Sequence, residues 1–373
     1  MKEKSMTKVL IIGAGFAGCT SAHLLADRGW DITIVDRDTF IGGGNKTLHY
    51  GGHPYTFGPR HFLTKDEPVF EFLNRYVPLR RLPEHEFLTY IERDSQFYHF
   101  PIHRDDVDLM PDRDKIIKEL SIRGDVENAK NLEDYWVASV GPTLYDKFVK
   151  QYSKKMWQLP SNKEMDDFSW SPKGVALKTG PKAAWTEAIS AFPYAQNGYD
   201  DYFDIATKKA TVKLNAKIEA FDIENHRVQM EGQWQKYDII ISTISPEVLL
   251  NNAFGPLRWI GRDFLKIVLP LEHVFPPNVY FLYYANEEPF TRLVDYKKFY
   301  QNKSPHSIIG MEIPSFKNKL YPYPVGKEQA IAKKYLAAMP KNVFSIGRAG
   351  AYEYRIDIAG AIKQAMEVAQ KLT

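Results

Sequence analysis

Val9-Leu10-Ile11-Ile12-Gly13-Ala14-Gly15-Phe16-Ala17-Gly18 stands near the start of the chain, and Ile32-Thr33-Ile34-Val35-Asp36 follows one helix length later. Four aliphatic residues in a row predict a buried strand, and the glycines come at once after it. From Phe16 the pattern is helical as far as Arg28, and Gly29 is a helix stop. A second strand over residues 32–35 ends on Asp36. This is the strand–turn–helix–strand–acid unit of a dinucleotide fold. Gly13 permits the tight turn, Gly15 lets a pyrophosphate approach the backbone, and Gly18 lets helix and strand pack closely. The helix N-terminus faces the phosphates, and Asp36 sits where a carboxylate accepts from ribose hydroxyls. Lys2, Lys4 and Lys8 before the apolar run 9–26 imitate a signal peptide, and Phe16-Ala17-Gly18-Cys19 imitates a lipoprotein cleavage site. The position of the glycines favours the nucleotide fold.

Composition narrows the function. With 373 residues the chain has room for two or three domains of about 150 residues each. Hydrophobic residues at 44% exclude disorder as the main state, and a net charge of +3 is too small for a nucleic-acid footprint. No run reaches the roughly 18 apolar residues of a membrane span, so no membrane insertion is expected. Cys19 is the only cysteine, which rules out an intrachain disulfide and a thiolate metal cluster and points to a reducing, cytoplasmic home. No metal site is expected. Aromatic residues at 14% suit the stacking of flat ligands, although large cores use them too.

Outward from the glycine unit, three segments resemble the FAD family related to amine oxidases. Asp36-Arg37-Asp38-Thr39-Phe40-Ile41-Gly42-Gly43-Gly44-Asn45 joins an acid to a glycine run, where a surface loop is the plainer reading. Residues 237–246 resemble the family's returning strand, and Val343-Phe344-Ser345-Ile346-Gly347-Arg348 its closing FAD segment. The implied fold is α/β: an FAD-binding Rossmann-like domain with an inserted helical domain and an antiparallel β-sheet domain. Its expected parts are a discontinuous FAD domain (1–75, 205–250 and 326–373), a helical insertion (102–160), a substrate-binding sheet region (76–101 and 251–325) and a mobile lid loop with linker (161–204). Within the FAD domain, strands are expected at 210–214 and 216–221. The FAD-contacting set under this resemblance is Gly13, Gly15, Phe16, Ala17, Gly18, Asp36, Arg37, Gly43, Gly44, Asn45, Ile218, Gly347 and Arg348.

The order of motifs further resembles the flavin-dependent UDP-galactopyranose mutases over most of the chain. Tyr152-Ser153-Lys154-Lys155-Met156-Trp157 is similar to a family signature, followed in order by Pro289-Phe290-Thr291-Arg292, Tyr321-Pro322-Tyr323-Pro324-Val325 and Gly347-Arg348 with Tyr352-Glu353-Tyr354. The resemblance implies that Tyr152 stacks on the nucleobase beside Phe148 and Val149, and that Trp157 lines the sugar pocket. It implies that Arg292, Tyr323 and Tyr354 bind the diphosphate and that Asp357, one residue out of register, holds that network. Each has a plainer reading: Tyr152 and Trp157 as core, Arg292 as a solvated strand residue.

The chain also departs from the family. Gly58-Pro59-Arg60-His61-Phe62-Leu63-Thr64 carries Arg60 and Leu63 where two histidines are usual, and Val149 replaces a phenylalanine. The loop arginine is missing from residues 171–182, leaving Lys178, then Lys173, as the nearest replacement. Arg60 is expected to meet the diphosphate, to read a sugar substituent, or to pair with a carboxylate such as Asp66. The implied reaction interconverts pyranose and furanose forms of a nucleotide-diphosphate sugar, UDP-galactose or a relative, through a covalent adduct of the sugar with N5 of reduced FAD. NAD(P)H is the expected reductant, and a homodimer is left open. The rival readings are an FAD-dependent oxidoreductase of the amine-oxidase or desaturase type and a non-enzymatic escort-type binding protein on the same fold.

Overall fold

The computed structural model describes residues 6–166, 168 and 177–372. Its first layer is a five-stranded parallel sheet in the order Thr211–Lys213, Asp31–Val35, Lys8–Ile12, Ile239–Ser242, Val343–Ser345. Three distant parts of the chain supply it. The strand Lys8–Ile12 is central, and its side chains alternate between two cores. Val9 and Ile11 face the helices Phe16–Leu25 and Ile358–Lys371, while Leu10 and Ile12 face the small antiparallel sheet Ala220–Asp222, Arg227–Met230 and Gln233–Lys236. The run that imitates a signal peptide is therefore the middle of the core, and Cys19 is buried with its Sγ on the Ala14 carbonyl. The strand expected at 216–221 starts later, at Ala220.

The second layer is a seven-stranded sheet in the order Tyr321–Pro322, Trp259–Leu269, Ser307–Ser315, Arg292–Asp295, Val279–Tyr284, Glu86–Ile91, Gln96–His99. It is antiparallel except where Val279–Tyr284 runs parallel to Glu86–Ile91. These two strands belong to chain segments on either side of the helical region, so no hairpin fixes their direction. The helical region holds Arg113–Ser121, Leu132–Tyr145, the π-helical Asp146–Lys150 and Gln151–Trp157. The second of these is broken at Gly141-Pro142, where the proline has no amide hydrogen to donate.

The segment expected to be one loop from 161 to 204 is different in its second half. Ile189–Pro193 is a strand between Phe62–Thr64 and Leu79–Arg81, and Asp200–Thr207 is a helix. Both are held by aromatic packing: Phe192 of the strand lies 5.7 Å from the Tyr199 ring, and Phe16 lies 5.2, 5.7 and 4.9 Å from the rings of Tyr199, Tyr202 and Phe203. Each such pair adds about 0.5–1.5 kcal/mol beyond simple burial. Of the lid expected over 161–204, residues 167 and 169–176, with Lys173, lie outside the described residues. No described helix is long and apolar enough to cross a membrane, and no described group of histidine, cysteine and carboxylate side chains could hold a metal.

Candidate active site

Two cavities meet where the sheets approach each other. The larger, about 820 Å³, begins at the glycine turn. Gly13 has φ +99°, a conformation that disfavours any side chain, and a Cβ on Gly18 would stand 1.9 Å from the Gly13 carbonyl oxygen. At Gly15 a Cβ would meet nothing within 4 Å, because this residue opens on the cavity. The amide end of the helix Phe16–Leu25 therefore faces open space, as an anionic pyrophosphate requires. Asp36 is fixed behind the turn, accepting from the amides of Ala14 at 2.7 Å and Asp38 at 2.9 Å, which leaves carboxylate lone pairs for a ribose. Gly44 and Asn45 form one wall, and Gly347 and Arg348 another. This cavity of about 820 Å³, lined by the glycine turn and the helix N-terminus, fits FAD.

Of the expected cofactor contacts, Gly15, Phe16, Ala17, Gly44, Asn45, Gly347 and Arg348 line this cavity. Gly13, Gly18, Asp36 and Gly43 build the turn and its surroundings. Two are elsewhere. The Arg37 side chain is 91% exposed beside Asp38, and Ile218 packs on the core under the small antiparallel sheet.

The smaller cavity, about 190 Å³, is aromatic at one end and charged at the other. Phe148 and Val149 reach it from the π-helical turn, joined by Trp136, Tyr152, Trp157 and Tyr283. Lys147, fully buried on the same turn, pins it from behind through Asp94 and Asp112, at 2.6 and 2.9 Å. At the charged end stand Arg262, Arg292, Glu312, Tyr321 and Tyr354. Arg292, Tyr321 and Tyr354 line both cavities and so form the junction.

Arg292 faces Glu312 across neighbouring strands and donates from Nε and Nη2 to its two oxygens at 2.8 and 2.7 Å. Burial opposes the Arg292 charge, but Glu312 beside it holds the guanidinium well above its ordinary pKa. Arg60 lines the larger cavity and donates from Nε to the Gly44 carbonyl at 3.1 Å. Burial lowers its pKa, with Tyr321 opposing and Arg348 adding to the shift. Asp66 is not its partner: that carboxylate caps the helix Glu67–Asn74 and meets Lys363.

Three expected substrate residues lie differently. Tyr323 lines neither cavity; its hydroxyl donates to the Trp157 carbonyl at 2.7 Å, and Arg258 covers its ring. Tyr321, two residues earlier, is at the junction instead, because its strand pairs with Trp259–Leu269 and sets it between Arg262 and Arg348. Lys178 is buried with its ammonium on the Ala183 carbonyl and its backbone bridging to His103, so it does not reach the cavities. Asp357 caps the helix Ile358–Lys371 through the Gly360 amide and lines the larger cavity only.

Sequence reasoning missed Glu312, Arg262, Tyr321 and the Lys147 anchor. Glu312 had a signal: the lone charged residue of Ser307–Ser315, set between the apolar Met311 and Ile313, is buried only with a partner.

Comparison with known proteins adds what this geometry cannot. The sequence model of the UDP-galactopyranose mutase family (GLF) matches residues 147–354, more than half of the chain. The chain belongs to the UDP-galactopyranose mutase family. A model described as an NAD(P)-binding Rossmann-like domain matches residues 11–76. A probable UDP-galactopyranose mutase of Klebsiella pneumoniae is 23% identical over 97% of this chain and 94% of its own length. A dTDP-fucopyranose mutase of Escherichia coli is 24% identical over 98% of each. A crystal structure of reduced UDP-galactopyranose mutase superposes with a TM-score of 0.82 at 17% identity, covering 98% of this chain and 95% of that one. Membership in the UDP-galactopyranose mutase family makes the chain a nucleotide-sugar pyranose–furanose mutase on an FAD-binding Rossmann-like fold. It sets aside both the oxidoreductase and the escort-protein readings.

Proposed function

We propose that the protein interconverts the pyranose and furanose forms of a pyrimidine nucleotide sugar, UDP-galactose or a dTDP-fucose-like sugar, with FAD in its reduced form. The observation that carries this reading is the shared wall: Arg292, Tyr321 and Tyr354 belong to both the aromatic cavity and the cofactor-shaped cavity. A ligand spanning them would need a flat base, an anionic middle and a polar group at the cofactor end, which is the order of parts in a nucleotide sugar. When bound, the reduced cofactor supplies a nucleophile for the anomeric carbon.

The residues divide the remaining work. Tyr152 stacks on the base between Phe148 and Val149, an interaction worth about 1–3 kcal/mol. Arg292 and Arg262 hold the diphosphate as it departs and returns; a planar, always-charged group suits that task. Glu312 keeps Arg292 oriented. Tyr354 and Trp157 close the sugar's side of the junction, keeping the detached nucleotide and the sugar close together. Arg60 faces the sugar from the cofactor side. NAD(P)H or a chemical reductant prepares the cofactor.

The test is to incubate the protein with UDP-galactopyranose and dTDP-fucopyranose, with and without dithionite or NAD(P)H, and to separate furanose products chromatographically. Furanose should form only under reduction. Equal turnover with oxidised cofactor, or none with any nucleotide sugar, defeats the reading.

A further inference from the structure

Tyr321 is buried in the wall common to the two cavities, yet its hydroxyl makes no hydrogen bond to the protein among the described residues. Its ring is held between two cations, with Arg262 Cζ 4.9 Å and Arg348 Cζ 5.3 Å from the ring centroid. Arg60 and Arg292 face it as well, and the Glu312 carboxylate acts against them. The phenols beside it are Tyr283 and Tyr354, both pushed up by burial. Four guanidiniums, of Arg60, Arg262, Arg292 and Arg348, thus stand around Tyr321 and Glu312. Glu312 is already engaged by Arg292.

A structural tyrosine spends its hydroxyl on the protein, as Tyr323 does on the Trp157 carbonyl. Tyr321 keeps its hydroxyl for the cavity, at the junction where the sugar would lie. We propose that Tyr321 is the proton-transfer group for the sugar ring: it protonates the pyranose ring oxygen as the ring opens and recovers a proton from the hydroxyl that closes the furanose. This rests on the reading of the chain as a reduced-cofactor mutase. As C1–O5 breaks, its electron pair stays on O5, which takes the Tyr321 proton. As an O4 lone pair forms the new bond to C1, the O4 proton passes to the Tyr321 phenolate. Protons and electrons balance, and no further reactant is needed.

An ordinary phenol, with a pKa of about 10, exchanges protons poorly near neutrality. Burial and Glu312 push Tyr321 higher, but Arg60, Arg262 and Arg292 together outweigh them and hold it below the ordinary phenol value.

The experiment uses flavin-loaded wild type, Tyr321→Phe and Arg60→Met. Flavin content, UDP binding, the pH dependence of kcat with UDP-galactopyranose and dTDP-fucopyranose, and the ultraviolet phenolate band are measured on each. Tyr321→Phe should keep its flavin and bind UDP as the wild type does, while kcat falls about 10²–10⁴-fold. The wild-type minus Tyr321→Phe difference spectrum should show a phenolate appearing below pH about 10. Arg60→Met should move that transition, and the pH profile of kcat with it, upward. An unchanged kcat in Tyr321→Phe, or a phenolate that appears only above pH about 10, overturns the assignment. Should Tyr321→Phe lose its flavin, the Arg60→Met shift decides, and an unmoved pH profile overturns it. Wild-type protein that exchanges neither sugar defeats the functional reading, and the ring role falls with it. Normal wild-type exchange with an unaffected Tyr321→Phe removes Tyr321 alone.

Discussion

Arg292 and Glu312 stand directly opposite each other on adjacent strands, and both carboxylate oxygens are taken by one edge of the guanidinium, Nε and Nη2. The Glu312 side chain is 2% exposed, so the pair cannot separate into water. The geometry leaves Nη1 unused by Glu312 and fixes the plane in which Arg292 can meet an anion. Glu312 is thus a positioning residue, and its effect on stability can be told apart from the effect of Arg292 on binding.

Glu312→Ala should cost about 3–5 kcal/mol, because it strands a buried cation. Arg292→Met with Glu312→Met should recover most of that stability, since both charges are gone and the volume is filled. UDP affinity should stay low in the double variant. Urea denaturation and calorimetry read the two quantities separately, and a double variant that binds UDP like the wild type would remove Arg292 from the diphosphate site.

Tyr152 and Tyr323 should part company. Tyr152→Ala should weaken UDP by about 1–3 kcal/mol, the worth of base stacking. Tyr323→Phe loses only the hydrogen bond to the Trp157 carbonyl and should cost about 1 kcal/mol of stability without altering UDP affinity. If Tyr323→Phe weakened UDP as much as Tyr152→Ala, the junction would have to be redrawn around Tyr323.

This contrast also shows what sequence could and could not give. The parallel sheet was legible because two of its strands carry unbroken aliphatic runs, 9–12 and 239–241, and because its strands carry their own punctuation: Gly13 after the first, Asp36 after the second, Gly347 after the last. The motif order led to Arg292, Tyr152 and Trp157. What stayed hidden depends on strand register. Glu312 meets Arg292 only because two strands pair in one alignment, and Tyr321 meets Arg262 for the same reason. Ile189–Pro193 reads as loop in the sequence because small residues and a terminal proline hide a central strand whose partners are distant in sequence. Lys178 stands near the position of the missing arginine in sequence, but local hydrogen bonding to the Ala183 carbonyl turns its side chain elsewhere.

Lys155 gives a pH signature. Its ammonium donates to the carbonyls of Tyr284 and Asn286 at 3.0 and 2.9 Å and faces Glu288 at 3.6 Å, and burial lowers its pKa to about 8. The unfolded chain holds this proton up to pH about 10.4. Above pH 8 the unfolded state therefore binds more protons than the folded one, and stability rises with pH. Wild type should gain about 1–2 kcal/mol on Lys155→Met as pH increases across this window, less than the full shift because solvent screens a partly exposed group. Denaturation curves for both proteins at several pH values give the difference directly. A constant difference would mean that Lys155 stays charged throughout.

Val149 offers the most direct reading of the base. It is buried on the turn anchored by Lys147, and it lines the narrow aromatic cavity beside Phe148 and Tyr152. Valine leaves space there that a phenylalanine would fill. Thymine differs from uracil by one methyl group, and such a difference in a closed apolar pocket is worth about 1–3 kcal/mol. If the space beside Val149 accommodates that methyl, wild type should bind dTDP at least as tightly as UDP. Val149→Phe should then weaken dTDP more than UDP, reversing the order. The cost to folding should be modest if the ring enters the cavity and about 1–3 kcal/mol if it must displace its neighbours. Calorimetric titration of both nucleotides into both proteins, with denaturation curves alongside, separates selectivity from damage. Equal losses for UDP and dTDP would show that the base methyl does not point at Val149, and that nucleotide choice is made on another wall of the cavity.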